Sequence, residues 1–290
     1  MRWKNSRQSS NIEDRRGDSP TQANTPPVAG LLRLVPLLMR SKIGRIVLVM
    51  AGLFFAYQYF TGGSNSVGIQ QSHSPKTASV QLNDENKQFV AAILGSTESV
   101  WNKQLAGKYQ PPTLVLYNNV THTGCGTGSA QTGPFYCPAD QKIYLDLGFI
   151  NELNKLGASG DFAFAYVIAH EVGHHVQKLL GTSDKVSQLQ QRSDKVTANL
   201  LSVKLELQAD CYAGVWGYYV NQQGMLDAGD LEEGINAASA VGDDRLQKMA
   251  GQAVQPDAFT HGSSQQRITW FQKGFKSGDP SSCDTFARPL

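Results

Sequence analysis

Hydrophobic and polar positions follow two different periods along this 290-residue chain. In five stretches, apolar residues recur every three or four positions, which is typical of helices that bury one face. These stretches are residues 83–106, 161–180, about 184–222, the region beyond 230, and 264–275. Two short stretches, residues 113–117 and 142–147, favour strands. The pattern predicts an α+β fold that is dominated by helices and has a small β-sheet. The second strand could be an edge that binds an extended peptide, although an ordinary structural strand is the favoured interpretation.

A continuous apolar run precedes these elements. Residues 46–60 are apolar except for Gln58, and extension to residues 43–62 gives about 20 residues, enough to cross a ~30 Å hydrocarbon core. We therefore predict a transmembrane helix at 43–62, after a disordered basic tail at 1–42 and before a linker at 63–82 and a domain at 83–290. A cleaved secretory signal or a buried core helix are the alternatives.

Charge is distributed unevenly between the two sides of this run. Residues 1–45 contain nine Lys and Arg but three Asp and Glu, whereas the whole chain has a net charge of +2. Because positive residues flank the cytoplasmic end of a membrane helix, we expect a single-pass inner-membrane protein with a cytoplasmic N-terminus and a periplasmic domain. The basic residues are scattered and accompany no nucleic-acid-binding motif, so we expect the membrane, and no nucleic acid, as a partner of this region.

All four cysteines follow the predicted anchor, which agrees with export to an oxidising compartment. Three pairings are possible. We favour Cys125 with Cys137, because the Gly- and Ser-rich stretch between them can fold back as a loop, and this leaves Cys211 for Cys283. The alternative is that Cys211 is a buried free thiol.

The sequence His170-Glu171-Val172-Gly173-His174 carries the first candidate chemistry. On a helix, residues at i and i+4 lie one turn apart on the same face, so the two imidazoles can bind a single metal ion. Glu171 is offset by about 100° around the axis, which suits a general base that acts on a metal-bound water better than a third ligand. His175 points away from this face, so we interpret it as a core or second-layer residue.

A catalytic zinc site normally has three protein ligands, so this motif requires another His, Glu or Asp. Glu206 is our candidate, since it lies on a second predicted helix among apolar neighbours, where an unpaired carboxylate would be costly. Asp210 is four residues later on the same face and could accept a hydrogen bond from a ligating imidazole, as a second-shell residue. Two solvated surface carboxylates are the alternative interpretation.

Three segments together carry a family resemblance: residues 170–174, the Glu-Leu-Gln-Ala-Asp-Cys-Tyr-Ala-Gly-Val-Trp sequence of residues 206–216, and residues 259–267. The chain resembles the predicted neutral zinc metallopeptidase family of bacterial membrane-anchored proteins, the YpfJ-like group, over nearly its full length. The resemblance implies a zincin-like fold of the Glu-ligand class, with Zn²⁺ bound by the two motif histidines and Glu206.

The third of these segments supplies a further candidate. In other Glu-ligand zincins a downstream His or Tyr stabilises the oxyanion, and the resemblance makes His261 the candidate for that catalytic role. The alternative is that His261 lies in a simple cap loop, because Ser263 and Gln266 form a capping-box pattern before the last helix. Arg267 could pair with a buried carboxylate, but a position on the helix surface is the favoured interpretation.

Taken together, these residues predict a membrane-anchored zinc endopeptidase that hydrolyses peptide or protein substrates, with Glu171 as general base. In this interpretation residues 83–290 are the zinc metallopeptidase domain. A zinc-containing but catalytically inactive binding or scaffold module of the cell envelope is the alternative. A metal-free interaction protein is the third and least favoured hypothesis.

Overall fold

The computed structural model describes residues 1–18 and 84–287, and these belong to one compact unit. Its helices are α1 (Asp84–Gln104), α2 (Phe149–Lys155), α3 (Asp161–Leu179), α4 (Thr182–Gln190), α5 (Lys195–Gln222), α6 (Asp230–Ala240), α7 (Asp243–Met249) and α8 (Ser264–Ser277). Its strands are β1 (Ile12–Asp14), β2 (Thr113–Tyr117), β3 (Val120–Thr123), β4 (Gly126–Ser129), β5 (Phe135–Cys137) and β6 (Lys142–Asp146). The described part of the chain is therefore a helix-dominated α+β fold with small sheets, as the apolar pattern predicts.

The larger sheet has the strand order β1-β2-β6-β5. Strands β1, β2 and β6 are parallel, and β5 runs antiparallel to β6. In β2, Leu114 and Leu116 face the helical core, while Val115 and Tyr117 pack on the opposite face beside Tyr144 of β6. Strand β6 is paired on both sides, so the interpretation of this strand as a peptide-binding edge is wrong; β5 is the edge strand at that end.

Helix α3 lies in the middle of the helical layer and is buried over most of its length, against α1, α5 and α6. Phe162 at its start stacks on Trp216 of α5, with ring centroids 5.6 Å apart. The single helix predicted for about 184–222 is instead two helices, α4 and α5. The break occurs because Asp194 caps α5, where its side chain accepts a hydrogen bond from the backbone N–H of Thr197 at 2.9 Å.

Helices α5 and α8 cross at very short range. A Cβ atom on Gly274 would lie 1.9 Å from the carbonyl oxygen of Cys211, and one on Gly214 would lie 2.1 Å from that of Phe271. Only glycine permits this separation of the two backbones. The crossing brings the first turn of α8 against the middle of α5, which carries the carboxylates of Glu206 and Asp210.

Both predicted disulfides are present. Cys125 is bonded to Cys137, which links the turn before β4 to strand β5. Cys211 is bonded to Cys283, which ties the centre of α5 to the segment after α8. The alternative of a free thiol at Cys211 is therefore wrong.

The first 18 residues differ from the prediction of a disordered tail. Strand β1 adds to the free side of β2, with Ile12 opposite Leu114, and Trp3 is buried against the domain. The composition of this segment is polar and basic, which favours solvated chain, but its charged side chains find partners on the domain. We refer to residues 1–18 as the N-terminal arm.

The rest of the predicted tail, the predicted transmembrane helix at 43–62 and the linker at 63–82 lie outside the described residues. Within residues 1–18 and 84–287, none of the helices combines the length and the apolar character that a membrane span requires.

Candidate active site

Helices α3 and α5 bring together His170, His174 and Glu206. The Nε2 atom of His170 is 3.1 Å from Oε2 of Glu206, and Nε2 of His174 is 3.4 Å from Oε1 of the same carboxylate. Four-coordinate zinc with bonds of about 2.0–2.2 Å separates its ligand atoms by roughly 3.3 Å. Two imidazoles and one carboxylate at these separations are the donor set of a catalytic zinc site, so the residues fit this ion.

A buried network orients His170. Its Nδ1–H donates to Oδ1 of Asp210 at 2.8 Å, which leaves the Nε2 lone pair directed to the ligand cluster. Asp210 is fully buried and also accepts two hydrogen bonds from Arg267, from Nε and Nη2, each at 2.8 Å. The Tyr166 hydroxyl donates to the same carboxylate. The predicted hydrogen bond between a motif histidine and Asp210 is therefore present.

Arg267 is 3% exposed, so the favoured interpretation of it as a helix-surface residue is wrong. The capping box at Ser263 begins α8, and the tight crossing with α5 then directs the guanidinium inward. Burial alone would raise the pKa of Asp210, but the charges of Arg267 and His170 outweigh it and lower that pKa to about 2. Asp210 is therefore anionic at neutral pH.

His174 is oriented by a different residue. Its Nδ1–H donates to Oε1 of Gln177 at 2.9 Å, and the amide of Gln177 in turn donates to the backbone carbonyl of Leu205 and to Oε1 of Gln208. Gln177 was not identified from the sequence, although its position three residues after His174 on one helix is a usable signal. In each candidate ligand ring, the hydrogen bond at Nδ1 therefore leaves Nε2 as the nitrogen that faces Glu206.

The electrostatics of the cluster favour a cation. Burial raises the pKa of Glu206, but the nearby rings of His174 and His170 outweigh this and hold it well below the usual range. Burial lowers the pKa of His170, yet Asp210 and Glu206 raise it to about 10. The carboxylates of Glu206 and Asp210 therefore stabilise positive charge at the two rings, and a divalent ion bound there would supply it in place of imidazole protons.

The three candidate ligands lie in a cleft of about 1060 Å³. Glu171 is 7% exposed, and its side chain lines the same cleft outside the ligand cluster. The walls also include Tyr136 of edge strand β5 and apolar side chains that suit peptide side chains. The main apolar wall residues are Phe135, Phe149, Leu156, Val167 and Leu246.

His261 also lines this cleft. Its Nδ1–H donates to Oδ1 of Asp243 at 3.2 Å. The other oxygen of Asp243 accepts hydrogen bonds from the backbone N–H groups of Thr260, His261 and Gly262. The hydrogen bond to Asp243 raises the pKa of His261 against the lowering effect of burial. The cap-loop interpretation and the cleft position are both observed, because the loop that caps α8 also carries this histidine.

Asp243 was missed by the sequence analysis. It lies at the start of the seven-residue helix α7, 18 positions before His261, and no periodic pattern connects the two. His175, by contrast, is placed as expected, away from the cluster. Its Nε2–H donates to the carbonyl of Gln110 at 2.6 Å, and its Nδ1 accepts from the Tyr136 hydroxyl at 3.0 Å. This histidine therefore ties α3 to the edge strand β5.

Comparison with known proteins agrees with this geometry. A family model described as "Putative neutral zinc metallopeptidase" matches residues 1–286. The chain is 49% identical over 294 residues to the uncharacterized protein YpfJ of Escherichia coli (strain K12), with 100% of both chains covered. It is 42% identical over 210 residues to the uncharacterized protein Rv2575 of Mycobacterium tuberculosis (strain H37Rv), covering 68% of this chain and 70% of that protein. No solved structure shows significant similarity. Because this family model covers almost the entire sequence, the chain belongs to the family described as "Putative neutral zinc metallopeptidase".

Proposed function

We propose that this protein is a zinc-dependent endopeptidase that is anchored in the membrane and hydrolyses peptide bonds with Glu171 as general base. The observation that carries the proposal is the convergence of His170, His174 and Glu206 at 3.1–3.4 Å in a cleft that also contains Glu171. The description of the family supports zinc as the metal and peptide hydrolysis as the reaction.

Zinc, when bound to these three residues, supplies a Lewis acid that polarises the scissile carbonyl and acidifies a water molecule. Glu171 would accept a proton from a water molecule in the cleft and would later pass it to the departing amine. His261 donates a hydrogen bond to the developing oxyanion, and its raised pKa keeps it protonated over a wider pH range. Asp243 holds this imidazole and its loop in place.

The substrate we propose is an extended peptide segment. Strand β5 is an edge of the sheet, and residues 133–136 line the cleft, so the backbone of a substrate can add to this edge. The apolar wall residues offer subsites for hydrophobic side chains. A folded protein would have to present such a segment in a loop or a terminus.

Two features support a location at the cell envelope. The two disulfides are typical of an oxidising compartment, which supports a periplasmic position of the domain. The apolar run at 43–62 supports attachment to the inner membrane. The expected cytoplasmic N-terminus does not fit the docking of the N-terminal arm on this domain.

Replacement of Glu171 by Gln in the full-length protein tests the proposal. The variant should bind zinc as well as the unchanged protein and should lose cleavage of a broad peptide library by at least about 100-fold, the scale of a lost general base. Glu232→Gln, at an exposed position on α6, is the matched control and should change neither property. If the unchanged, zinc-loaded protein cleaves no peptide, the proposal fails and the inactive scaffold module gains support.

A further inference from the structure

The N-terminal arm is bound to the domain by backbone hydrogen bonds. The N–H of Leu114 donates to the carbonyl of Asn11 at 2.9 Å, and the N–H of Arg15 donates to the carbonyl of Leu116 at 2.8 Å. Before the strand, the N–H of Ser9 donates to the carbonyl of Ala91 in α1 at 2.8 Å. The arm thus completes the sheet at the edge of β2, as a donated strand.

A buried carboxylate on α1 depends on the arm for its partners. Glu98 is 5% exposed and is contacted by three side chains of the arm: Nη2 of Arg7 at 3.0 Å, Nδ2 of Asn11 at 2.8 Å and the hydroxyl of Ser9. Without the arm this carboxylate would lose these three partners, which is costly for a buried charge. The surface of the domain is therefore complementary to the N-terminal arm in shape and in charge.

Close packing accompanies these polar contacts. A Cβ atom on Gly95 would lie 2.3 Å from the carbonyl oxygen of Arg7, so the arm passes α1 at a distance that only glycine permits. The ring of Trp3 is 8% exposed and meets Phe89 edge to face, with centroids 5.3 Å apart. The arm is held by apolar burial as well as by charge.

The first residues of the arm lie in an acidic cluster of the domain. The Met1 ammonium is 2.9 Å from a carboxylate oxygen of Asp161, 3.4 Å from Asp230 and 3.5 Å from Asp227. Arg2 pairs with Asp227 at 2.7 Å. These positive charges belong to the segment that we predict to be a cytoplasmic tail. They form ion pairs with carboxylates of the domain that contains the candidate active site.

We propose that the N-terminal arm and the domain of residues 84–287 lie on the same side of the membrane in the cell, because the arm occupies its groove on the domain. Contacts of about 3 Å cannot form across a ~30 Å hydrocarbon core. A chain that crossed the bilayer once between Asp18 and Asp84 would hold the arm away from β2 and Glu98. This placement rests on the proposed membrane attachment and not on peptidase activity, and it applies equally if the arm docks on the domain of a second copy.

Cysteine labelling of the full-length protein in intact cells tests this directly. Ser10 in the arm and Gln252 in the domain are both exposed, and the four native cysteines are paired, so Ser10→Cys and Gln252→Cys each add one accessible thiol. A maleimide that cannot cross the inner membrane is applied to cells with a permeabilised outer membrane, and to lysed cells as the reference. We expect both variants to give the same labelled fraction in intact cells. Labelling of one site in intact cells and of the other only after lysis would overturn the proposal.

A second pair of variants tests docking itself in the same full-length chain. Ser9→Ala removes a hydrogen bond to the buried Glu98, whereas Ser10→Ala changes an exposed neighbour. Since a bond to a charged group has a large effect on stability, Ser9→Ala should lower the thermal midpoint by about 3 °C or more, and Ser10→Ala should leave it unchanged. Equal midpoints for the two variants would show that the arm is undocked and would overturn the proposal.

Discussion

Replacement of Arg267 by Met tests the role of the buried network behind the candidate metal site. The guanidinium donates two hydrogen bonds of 2.8 Å to Asp210. Arg267 is 3% exposed and Asp210 is 0% exposed. Breaking a buried ion pair by removing one partner costs about 3–5 kcal/mol, because the remaining charge stays buried. We expect Arg267→Met to lower the free energy of unfolding by an amount in this range.

The same change should weaken metal binding. Arg267 is the largest favourable influence that keeps Asp210 ionised, and Asp210 fixes the tautomer of His170. Loss of such a supporting residue typically lowers metal affinity by about 10- to 100-fold. Zinc affinity is measured by competition with a chromophoric chelator, and stability by chemical unfolding followed through tryptophan fluorescence.

Two further variants make the result decisive. Arg192→Met, at an exposed position after α4, controls for loss of a positive charge and should change neither quantity. The double variant Asp210→Asn with Arg267→Met removes the unpaired charge and should recover part of the lost stability. If Arg267→Met behaves like the Arg192 control, the network does not support the site and the reasoning is refuted.

Two other changes have defined outcomes. Asp243→Asn should lower the pKa of His261 towards its usual value, because the hydrogen bond from this ring to Asp243 is the main cause of its raised pKa. Since the protonated ring stabilises the oxyanion in our proposal, the alkaline limb of the pH–rate profile should move to lower pH. An alkaline limb that does not move would exclude this role for His261. The stability that this raised pKa contributes is present below the pKa of the unfolded chain and is lost as the pH rises through the folded value, so the variant should lose stability mainly at acidic and neutral pH. Replacement of Cys211 and Cys283 by Ala should lower the free energy of unfolding, measured by denaturant titration, by about 4 kcal/mol, since these partners are 72 residues apart. Removal of the Cys125–Cys137 disulfide, whose partners are 12 residues apart, should lower it by about 1–2 kcal/mol less. Equal losses for the two disulfides would contradict this loop-length argument.

The candidate ligands could be found from the sequence because helix geometry fixes them locally. The spacing of His170 and His174 places both rings on one face before any tertiary contact is known. Glu206 required an argument about burial and a family resemblance, since its position depends on how α5 packs against α3. Its proximity to the two rings is a property of the folded chain.

Other parts of the site and fold depend on contacts that no local pattern encodes. Asp243 supports His261 only because α7 packs beside the loop before α8, and Arg267 turns inward only because two glycines let α5 and α8 cross closely. A three-residue strand such as β1 has too few positions for a period to be detected. Its partner β2 begins about 100 residues later, at Thr113.

The position of β1 beside β2 has a consequence for biosynthesis. The arm leaves the ribosome before its groove, which is built from α1, β2 and the acidic residues Asp161, Asp227 and Asp230 and is complete only after residue 230 has emerged. Contacts between such distant segments form late in folding, because a long loop must close first. Until then the arm is an unpaired peptide and Glu98 lacks its partners, so a chaperone that shields this nascent segment would act on the slowest step of assembly.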